Sequence, residues 1–305
     1  MVGIVIINYK REDLTVRFVR EELSRIRIPH MTVIVNLAAS DESNEHLCKE
    51  LEAKLVGGSG DVVFSQESIC VLPSPENLGF AKGNNLGAAF CRKNGNPDYL
   101  LFANNDIRFL DDDVVAQMVE KLESLPDAAV IGPRVVGLDG KAQSPFPYMS
   151  FWRRRIWMYW STPFLSKEKK IRQFQLDYPE KAKEGYHYYV MGCFFLVRAA
   201  DFYACGMMDP HTFLYAEEPI LSERMAAIGK KFYYFPETCV LHAHGATTSH
   251  HSVERNRRWQ FESEVYYYRT YRHTSRLVLL LGRVTYKMME ALKNERKTKA
   301  SLHHQ

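Results

Sequence analysis

The sequence predicts an α/β fold with a mostly parallel central sheet flanked by helices. Across residues 2–93, short apolar runs alternate with longer amphipathic stretches, and this βαβα order is typical of a parallel sheet. Residues 99–106 are apolar until they end in Asn-Asn-Asp, as expected for a strand that is buried on both faces. The chain has 305 residues, of which 46% are hydrophobic, which is enough for a large core.

The elements of the first half follow from this pattern. Three short apolar runs are assigned to strands, at 2–8, 32–36 and 69–72. The three longer stretches that come after them are assigned to helices, at 14–25, 42–55 and 81–93.

The second half contains elements of both kinds. A helix at 111–125 is predicted to end before Pro126, because proline cannot continue a helix. A further helix is predicted to begin at Glu217, where an acidic pair opens it. The strands predicted in this half lie at 129–136, 190–198 and 231–235, and a last strand carries His242.

Glycine and asparagine are concentrated in the segment 76–87, which reads Glu-Asn-Leu-Gly-Phe-Ala-Lys-Gly-Asn-Asn-Leu-Gly. Its glycines would let the backbone approach a ligand closely, and its asparagines lie where a helix begins, which is a natural anion site. The alternative is a simple turn and helix cap. The residues concerned are Gly79, Gly83, Gly87, Asn77, Asn84 and Asn85.

Asp106 ends the apolar run at 99–106. In open parallel sheets the ligand crevice lies beyond the carboxyl ends of the strands, so Asp106 would face a bound ligand. A carboxylate there suits a hard divalent cation that bridges two phosphates. An ordinary polar strand end is the alternative interpretation.

Together these motifs resemble family 2 inverting glycosyltransferases of the GT-A fold, especially the bacterial rhamnosyltransferase-like group with its N-L-G-F-A-x-G-N-N-x-G segment. The likeness extends from Val2 to about residue 250, and the opening strand of that family stands here as Gly-Ile-Val-Ile-Ile-Asn-Tyr at 3–9. The resemblance implies a GT-A fold and transfer of a sugar from a nucleotide-sugar donor.

The resemblance also implies which residues contact the donor. They are Asn8, Asn36, Asp41, Asn77, Gly79, Lys82, Asn85, Asn104 and Asn105. One of them departs from the family pattern D-N-x-S-x-D, because the first acid, which contacts the base and ribose, is Asn36 here. Asp41 keeps its place.

The family's metal motif D-x-D appears as Asn104-Asn105-Asp106, which leaves Asp106 as its only charged ligand. The family histidine aligns with His242, in an element at 241–247 that also contains His244. The resemblance therefore implies that Mg²⁺ or Mn²⁺ binds at Asp106 and His242. A structural histidine is the alternative for His242.

The family's acidic pair corresponds to Glu217-Glu218. By this resemblance Glu218 is the catalytic base, with Glu in place of Asp, and Glu217 is its catalytic neighbour. Pro219 follows, and since proline is best tolerated at the first helical position, Glu218 is expected at the N-cap. A solvated helix start is the alternative.

The predicted organisation is a GT-A catalytic domain at 1–250 and a C-terminal helical extension at 251–305. The catalytic domain would have a nucleotide-sugar-binding half at 1–110 and an acceptor and catalytic half at 111–250. The extension carries twelve Lys and Arg against five Asp and Glu, whereas the whole chain has a net charge of only +4. A basic amphipathic helix of this kind binds an anionic membrane surface or packs on the catalytic domain.

An aromatic and basic stretch at 145–189 lies outside the motifs. It holds Trp152, Trp157 and Trp160 beside three consecutive arginines. Two interpretations are open: an acceptor lid whose tryptophans stack on sugars or touch lipid, or an insertion that packs against the core.

Several classes of protein are disfavoured. The six cysteines have no C-x-x-C spacing, which predicts reduced thiols in a cytoplasmic protein, with the inner face of the cell membrane as a peripheral location. The apolar stretches are too short for a secretory signal or a spanning helix. No nucleic-acid-binding motif, no G-x-G-x-R-x-x-P loop of a nucleotidyltransferase and no G-x-G-x-x-G of a dehydrogenase is present.

The predicted activity is metal-dependent transfer of a sugar, with inversion, from a dTDP-rhamnose-like or UDP-sugar donor. The acceptor would be a hydroxyl of a saccharide or lipid-linked substrate in cell-surface polysaccharide synthesis. The alternative is a non-catalytic protein of the same fold that binds sugar nucleotides.

Overall fold

The computed structural model describes residues 1–57, 68–243 and 253–302. The chain forms two compact units, of which the first comprises Met1–Pro147 and Pro179–Ser263 and the second Tyr148–Tyr178 and Glu264–Gln305. This division differs from the predicted one in two ways. The first unit continues to Ser263 rather than to residue 250, and the segment 148–178 belongs with the C-terminal helices rather than with the predicted catalytic domain.

The first unit is built on a ten-stranded sheet. The strands are β1 (Val2–Asn8), β2 (His30–Leu37), β3 (Lys54–Leu55), β4 (Ile69–Ser74), β5 (Tyr99–Asn104), β6 (Ile107–Phe109), β7 (Ala128–Val136), β8 (Gly185–His187), β9 (Phe194–Arg198) and β10 (Lys231–His242). Their order is β3-β4-β2-β1-β5-β9-β7-β10-β6, with β8 on β10.

The first half of the sheet is parallel, as predicted. β1 pairs with β2 and β5, and β4 pairs with β2 and β3, all in parallel. β9 then runs antiparallel between β5 and β7, and β6 and β8 run antiparallel to β10. The predicted α/β class is confirmed, and the sheet is more mixed in its second half than the sequence indicated.

Helices cover both faces of the sheet. The helices are α1 (Glu12–Glu21), α2 (Asp41–Leu51), α3 (Gly79–Asn94), α4 (Val114–Glu123), α8 (Ala199–Ala204) and α9 (Glu217–Ala227). Residues of α1, α2 and α4 share one apolar cluster with one face of the strands. Residues of α3, α8 and α9 share a second cluster with the opposite face. Alternate residues of β1 feed the two clusters, since Ile4 and Ile6 lie in one and Val5 in the other.

One strand replaces two that the sequence predicted. The stretch at 231–235 and the histidine strand form the single strand β10, with an irregularity in its pairing to β7 between Phe235 and Cys239. Pro236 lies within that irregularity and has no N–H to donate to the ladder. The proline therefore produces a bulge rather than a break.

Two glycines of the segment 76–87 serve packing. A Cβ at Gly87 would lie 2.4 Å from Val5 Cγ1, and one at Gly83 would lie 3.0 Å from Ile7 Cδ1. These glycines let α3 lie directly on β1, so the expectation that they bring backbone close to a ligand is corrected. Gly79 is different: its φ is +74°, and a Cβ there would lie 2.2 Å from the carbonyl oxygen of Phe213.

The second unit is helical. It contains a π-helical turn (Trp152–Trp157), α5 (Met158–Ser161), a 3₁₀ turn (Thr162–Phe164), α6 (Lys167–Phe174) and α11 (Arg276–Leu302); α7 (Tyr178–Lys181) and α10 (Val253–Thr270) each extend into both units.

Glu264 is the buried anchor of the second unit. Its carboxylate accepts hydrogen bonds from Arg154 Nε at 3.1 Å and Arg155 Nε at 2.5 Å. The two guanidinium groups hold the pKa of Glu264 below its usual range although burial alone would raise it. No helix among residues 1–57, 68–243 and 253–302 is both long and apolar enough to cross a bilayer.

Candidate active site

The carboxyl ends of three parallel strands meet at one edge of the sheet. Asn8 at the end of β1 pairs in register with Asn36 on β2, and Ile7 pairs with Asn104 at the end of β5. Beside them lies a pocket of about 140 Å³. It is lined by Ile7, Tyr9, Leu37, Asn77, Gly79, Phe80, Asn104, Asn105, Phe213 and Leu214. Asn77, Gly79, Asn104 and Asn105 are residues that the family resemblance implied for the donor.

Asn36 is buried and its amide is used inside the protein. Asn36 Nδ2 donates to Ser43 Oγ and to Asn44 Oδ1, both at 2.9 Å. Its Oδ1 accepts from Asn8 Nδ2 at 2.7 Å. The side chain that replaces the family's base-contacting acid therefore braces β2 against β1 and α2, and it does not line the pocket.

The same network extends to the pocket wall. Thr15 Oγ1 donates to Asn8 Oδ1 at 2.8 Å and accepts from Asn105 Nδ2 at 2.9 Å. Glu12 accepts from Ser43 Oγ at 2.5 Å. Every hydrogen bond of this network is buried or partly buried. The network therefore holds the carboxyl ends of β1, β2 and β5 in fixed positions relative to one another, beside the pocket.

Three other residues implied for the donor lie away from this pocket. Asn85 braces α3 against the loop after α8, since its Nδ2 donates to Met208 O at 2.8 Å and its Oδ1 accepts from Met208 N at 3.0 Å. Lys82 is exposed on α3. Asp41 is exposed at the first position of α2, whose N-cap is Ser40.

Asp106 and His242 are brought together by the pairing of β6 with β10. His242 is opposite Ile107 in that pair, and Ala243 N donates to the carbonyl oxygen of Asp106 at 3.2 Å. His242 Nε2 lies 3.5 Å from Asp106 Oδ1, and both side chains are buried. His242 Nδ1 lies 2.9 Å from Gln143 Oε1, an atom that can only accept, so Nδ1 carries the proton.

The Asp106 and His242 pair fits a divalent cation. With Nδ1–H donated to Gln143, the neutral form of His242 presents the lone pair of Nε2 toward the carboxylate, as in metal-bound histidines whose second nitrogen is held by an outer partner. Two ligands at roughly 2.1 Å from one cation are about 3 to 3.5 Å apart. Over the described residues no group of three or more His, Cys, Asp and Glu is placed to hold a metal ion. His244 lies outside the described residues.

Glu218 is held by the backbone of a glycine. Gly192 N donates to Glu218 Oε1 at 2.9 Å, and a Cβ at position 192 would lie 2.6 Å from that oxygen. Glu218 is partly exposed whereas Glu217 is buried. Helix α9 begins at Glu217 with Ala216 as N-cap, so Glu218 is the second helical residue and not the predicted N-cap; Pro219 is the third.

The two carboxyl groups of the pair have different environments. Burial and, to a smaller extent, the charge of Glu218 raise the pKa of Glu217 to about 8. Burial also raises the pKa of Glu218, but the Glu218 and Gly192 N–H groups oppose that rise. Glu217 Oε1 has no hydrogen-bond partner within the described residues. The pair therefore holds one proton on Glu217 near neutral pH and leaves Glu218 as the ionised member.

One short segment connects Asp106 with Glu218. Asn104 N, two residues before Asp106, donates to Cys193 O at 2.8 Å, and the neighbouring Gly192 holds Glu218. Burial raises the pKa of the Cys193 thiol, and the negative charges of Asp106 and Glu218 both add to that rise. The charges of both carboxylates thus affect the same thiol, that of Cys193, which directly precedes β9.

The backbone before Glu217 is strained. Tyr215 and Ala216 have φ values of +71° and +66°, a region that costs a residue with a Cβ about 1 kcal/mol. We expect Ala216→Gly to raise the free energy of unfolding by about 1 kcal/mol, measured by urea denaturation. Ala226→Gly, on the exposed side of the last turn of α9, is the matched control and should lower stability by up to about 1 kcal/mol. Equal losses in both variants would contradict the strain.

The family of this chain is shown by a match to a family model. The model of glycosyl transferase family 2 matches residues 3–200. The chain belongs to glycosyl transferase family 2. Of the curated proteins, the rhamnosyltransferase WbbL of Escherichia coli (strain K12) is 24% identical over 212 residues, which cover 67% of this chain and 73% of that protein. The family expected from the motifs is confirmed.

Solved structures agree on the fold of this family 2 glycosyltransferase. Mannosyltransferase PcManGT from Pyrobaculum calidifontis, in complex with GDP-Man and Mn²⁺, matches with a TM-score of 0.57 at 12% identity, over 99% of this chain and 79% of that one. GalNAc-T7 with UDP, GalNAc and Mn²⁺ matches with a TM-score of 0.50 at 14% identity, over 80% of this chain and 43% of that one. The GT-A fold is confirmed.

Sequence reasoning missed three parts of the site. Gln143 lies in an irregular stretch and contacts His242 only through the fold. Gly192 precedes a strand, where an isolated glycine could have indicated a close approach. Phe213 and Leu214, which line the pocket, come just before the acidic pair, and only that neighbourhood could have drawn attention to them.

Proposed function

We propose that this glycosyltransferase moves a sugar from a nucleoside diphosphate donor to an acceptor hydroxyl with inversion. The observation that carries the proposal is the connection of two carboxylates through one segment: Gly192 holds Glu218, and Cys193 holds Asn104 near Asp106. A base and a phosphate-side cation site on either side of the reacting carbon are what a single displacement requires.

Glu218 is the proposed catalytic base. Its Oε1 is fixed by Gly192 N, which leaves Oε2 to accept the proton of the acceptor hydroxyl. That hydroxyl oxygen attacks the anomeric carbon from the face opposite the diphosphate, and the bond from that carbon to the diphosphate oxygen breaks. Because Glu217 keeps its proton up to about pH 8, Glu218 can stay ionised beside it.

Asp106 and His242 are the proposed cation ligands, with Gln143 orienting the histidine. A bound Mg²⁺ or Mn²⁺ would offset the charge that develops on the leaving diphosphate. The pocket lined by Asn77, Gly79 and Asn104 is the proposed place of the nucleotide. The Mn²⁺ in the complexes of PcManGT and GalNAc-T7 supports a divalent cation.

The donor and acceptor follow from the relatives as a proposal. The likeness to rhamnosyltransferase WbbL favours a dTDP-rhamnose-like donor, while GalNAc-T7, solved with UDP, supports a UDP-sugar as the alternative. The proposed acceptor is a saccharide or a lipid-linked saccharide in cell-surface polysaccharide synthesis.

Ligand-induced stabilisation tests the donor class. We expect dTDP or UDP to raise the melting temperature in the presence of Mn²⁺ and to do so much less in EDTA, because a ligand that binds only the folded state stabilises it. A thermal-shift panel of dTDP, UDP, GDP and ADP, each with and without Mn²⁺, measures this. Equal shifts for all four, or shifts that do not depend on the metal, would contradict the proposed site.

The presence of Glu218 where the family has Asp favours a second candidate, a protein that binds sugar nucleotides without transferring the sugar. In that case the nucleotide panel would give stabilisation, but no turnover of dTDP-rhamnose or UDP-sugars would be seen, either by transfer or by slow hydrolysis.

A further inference from the structure

The second unit exposes a long apolar stripe on α11. Its members are exposed by between 41% and 66%, and they are Leu277, Leu280, Leu281, Val284, Met288 and Leu292. At about 100° of rotation per residue these positions lie within one third of the helix circumference. Monomeric proteins rarely leave so many large apolar side chains contiguous and exposed, and such patches mark interaction surfaces.

Another side of α11 is already occupied. Leu279 and Thr285 are buried, and the ring of Phe151 approaches so closely that a Cβ at Gly282 would lie 2.3 Å from it. Trp160 Nε1 donates to Thr285 Oγ1 at 3.3 Å. The helix therefore packs within the second unit through one side, and its exposed stripe is a second, separate apolar face.

Positive charge borders the stripe. Arg276, Arg283 and Lys287 are exposed and fall on the side of the helix next to Leu280, within about 60° of it. Among the residues of α11 whose side chains are described, Glu290 is the single carboxylate; it lies about 20° from Arg283 around the helix, is only 18% exposed and is paired with Lys293 at 3.2 Å. The exposed half of the helix is thus apolar with an edge on which three exposed cations outnumber one largely covered carboxylate.

Aromatic side chains extend this surface. Trp160 is 54% exposed although its N–H is bonded to Thr285, and Thr285 lies one turn from Leu281 and three residues from Met288. Trp152, Trp157 and Phe164, from the same segment, are also exposed. Tryptophans with a satisfied N–H and an exposed ring are typical of the interface between lipid headgroups and acyl chains.

We propose that this surface, α11 with the tryptophans of 152–164, docks the enzyme on an anionic lipid bilayer. The α11 stripe would insert among the acyl chains, and Arg276, Arg283 and Lys287 would contact the headgroup phosphates.

A bilayer fits the surface better than a second copy of the chain. A two-fold dimer through the stripe would bring two cationic edges to one interface, and the one carboxylate beside that edge, as far as the side chains of α11 are described, is Glu290, which is already paired with Lys293. A lipid surface with negative headgroups supplies that charge.

Vesicle binding by the full-length chain tests the proposal. We expect cosedimentation with vesicles of phosphatidylcholine and phosphatidylglycerol (7:3), at least tenfold weaker binding to phosphatidylcholine alone, and weakening by 0.5 M NaCl. Val284→Glu with Met288→Glu should abolish binding. Arg283→Glu with Lys287→Glu should weaken it by tenfold or more, since each basic residue near such a surface contributes roughly fivefold.

Leu138→Glu is the matched control, because Leu138 is 75% exposed in the first unit; its vesicle binding should equal that of the parent. Nucleotide stabilisation should be unchanged in all the variants, which separates this proposal from the proposed catalysis and shows that the variants are folded. Absence of binding to anionic vesicles, or a stripe variant that only converts a dimer to a monomer in light scattering, would overturn the proposal.

Discussion

Glu218→Gln is expected to lower the turnover number by about 10²- to 10⁴-fold, the usual contribution of a general base. Glutamine keeps an oxygen that can accept from Gly192 N, so the side chain should stay in place. It has no basic oxygen for the acceptor proton. Initial rates with dTDP-rhamnose or a UDP-sugar, followed as transfer or as slow hydrolysis, measure the loss, and calorimetry with the nucleotide should show an affinity within about twofold of the parent.

Glu217→Gln is the matched variant. Because Glu217 is buried and protonated up to about pH 8, a neutral amide of the same shape imitates its working state. We expect a loss of less than about tenfold at pH 7. If Glu217→Gln were the more damaging of the two, or if Glu218→Gln retained full turnover, the base would have to be assigned elsewhere.

The pH profile gives an independent measure. Since burial raises the pKa of Glu218 above its ordinary value of 4.5, and only the ionised form accepts a proton, the rate should rise with pH through that raised pKa. The acid limb should therefore lie above pH 4.5, and it should disappear in the residual activity of Glu218→Gln. An unchanged limb in that variant would assign it to another group.

Asp106→Asn is expected to remove the metal-dependent part of nucleotide binding. The variant keeps the shape of a buried side chain but loses the single negative charge of the Asn104-Asn105-Asp106 motif. Loss of an outer-shell partner alone costs 10- to 100-fold in metal affinity, so loss of a direct ligand should cost about a hundredfold or more. Calorimetry with dTDP or UDP, titrated with Mn²⁺ and in EDTA, measures the two contributions separately.

Asp98→Asn is the control for Asp106→Asn, because Asp98 precedes the same strand at its other end and is exposed. Its pair with the N-terminal amine is a surface ion pair and contributes little. We expect parental Mn²⁺ dependence in this variant. If Asp106→Asn kept the parental dependence as well, the cation site would lie elsewhere; weaker binding in EDTA alone would indicate damage to the pocket instead.

The sequence predicted much of the first half of the molecule. The apolar runs that became β1, β2 and β5 pair in register, so the polar residues at their ends fall on one edge of the sheet. Asn104 at the end of β5 and Asn77, which precedes α3, line one pocket beside this edge. Antiparallel β9 was not foreseen as such, because a run of buried residues reads the same in either direction.

Residue identity did not reveal which asparagines remain available to a ligand. Asn36 and Asn85 look like ligand-binding residues, yet both amides are consumed by hydrogen bonds to residues that are distant in sequence or on another element. An amide has a fixed number of donors and acceptors, so its availability depends on what the fold places beside it. The sequence likewise did not predict the hydrogen bonds from the π-helical segment to Glu264, because Arg155 and Glu264 are 109 residues apart.

By itself the sequence determined the α/β class, the family, the position of Asp106 just after a strand and the position of Glu218 in the first turn of a helix. These follow from the local periodicity of apolar residues and from short motifs. Only the tertiary structure decided that Gly192 would hold Glu218, that Gln143 would orient His242, and that one face of α11 would stay exposed. The first two are contacts between residues that are 26 and 99 positions apart. All three features arise from sheet order and close packing, which no local pattern encodes.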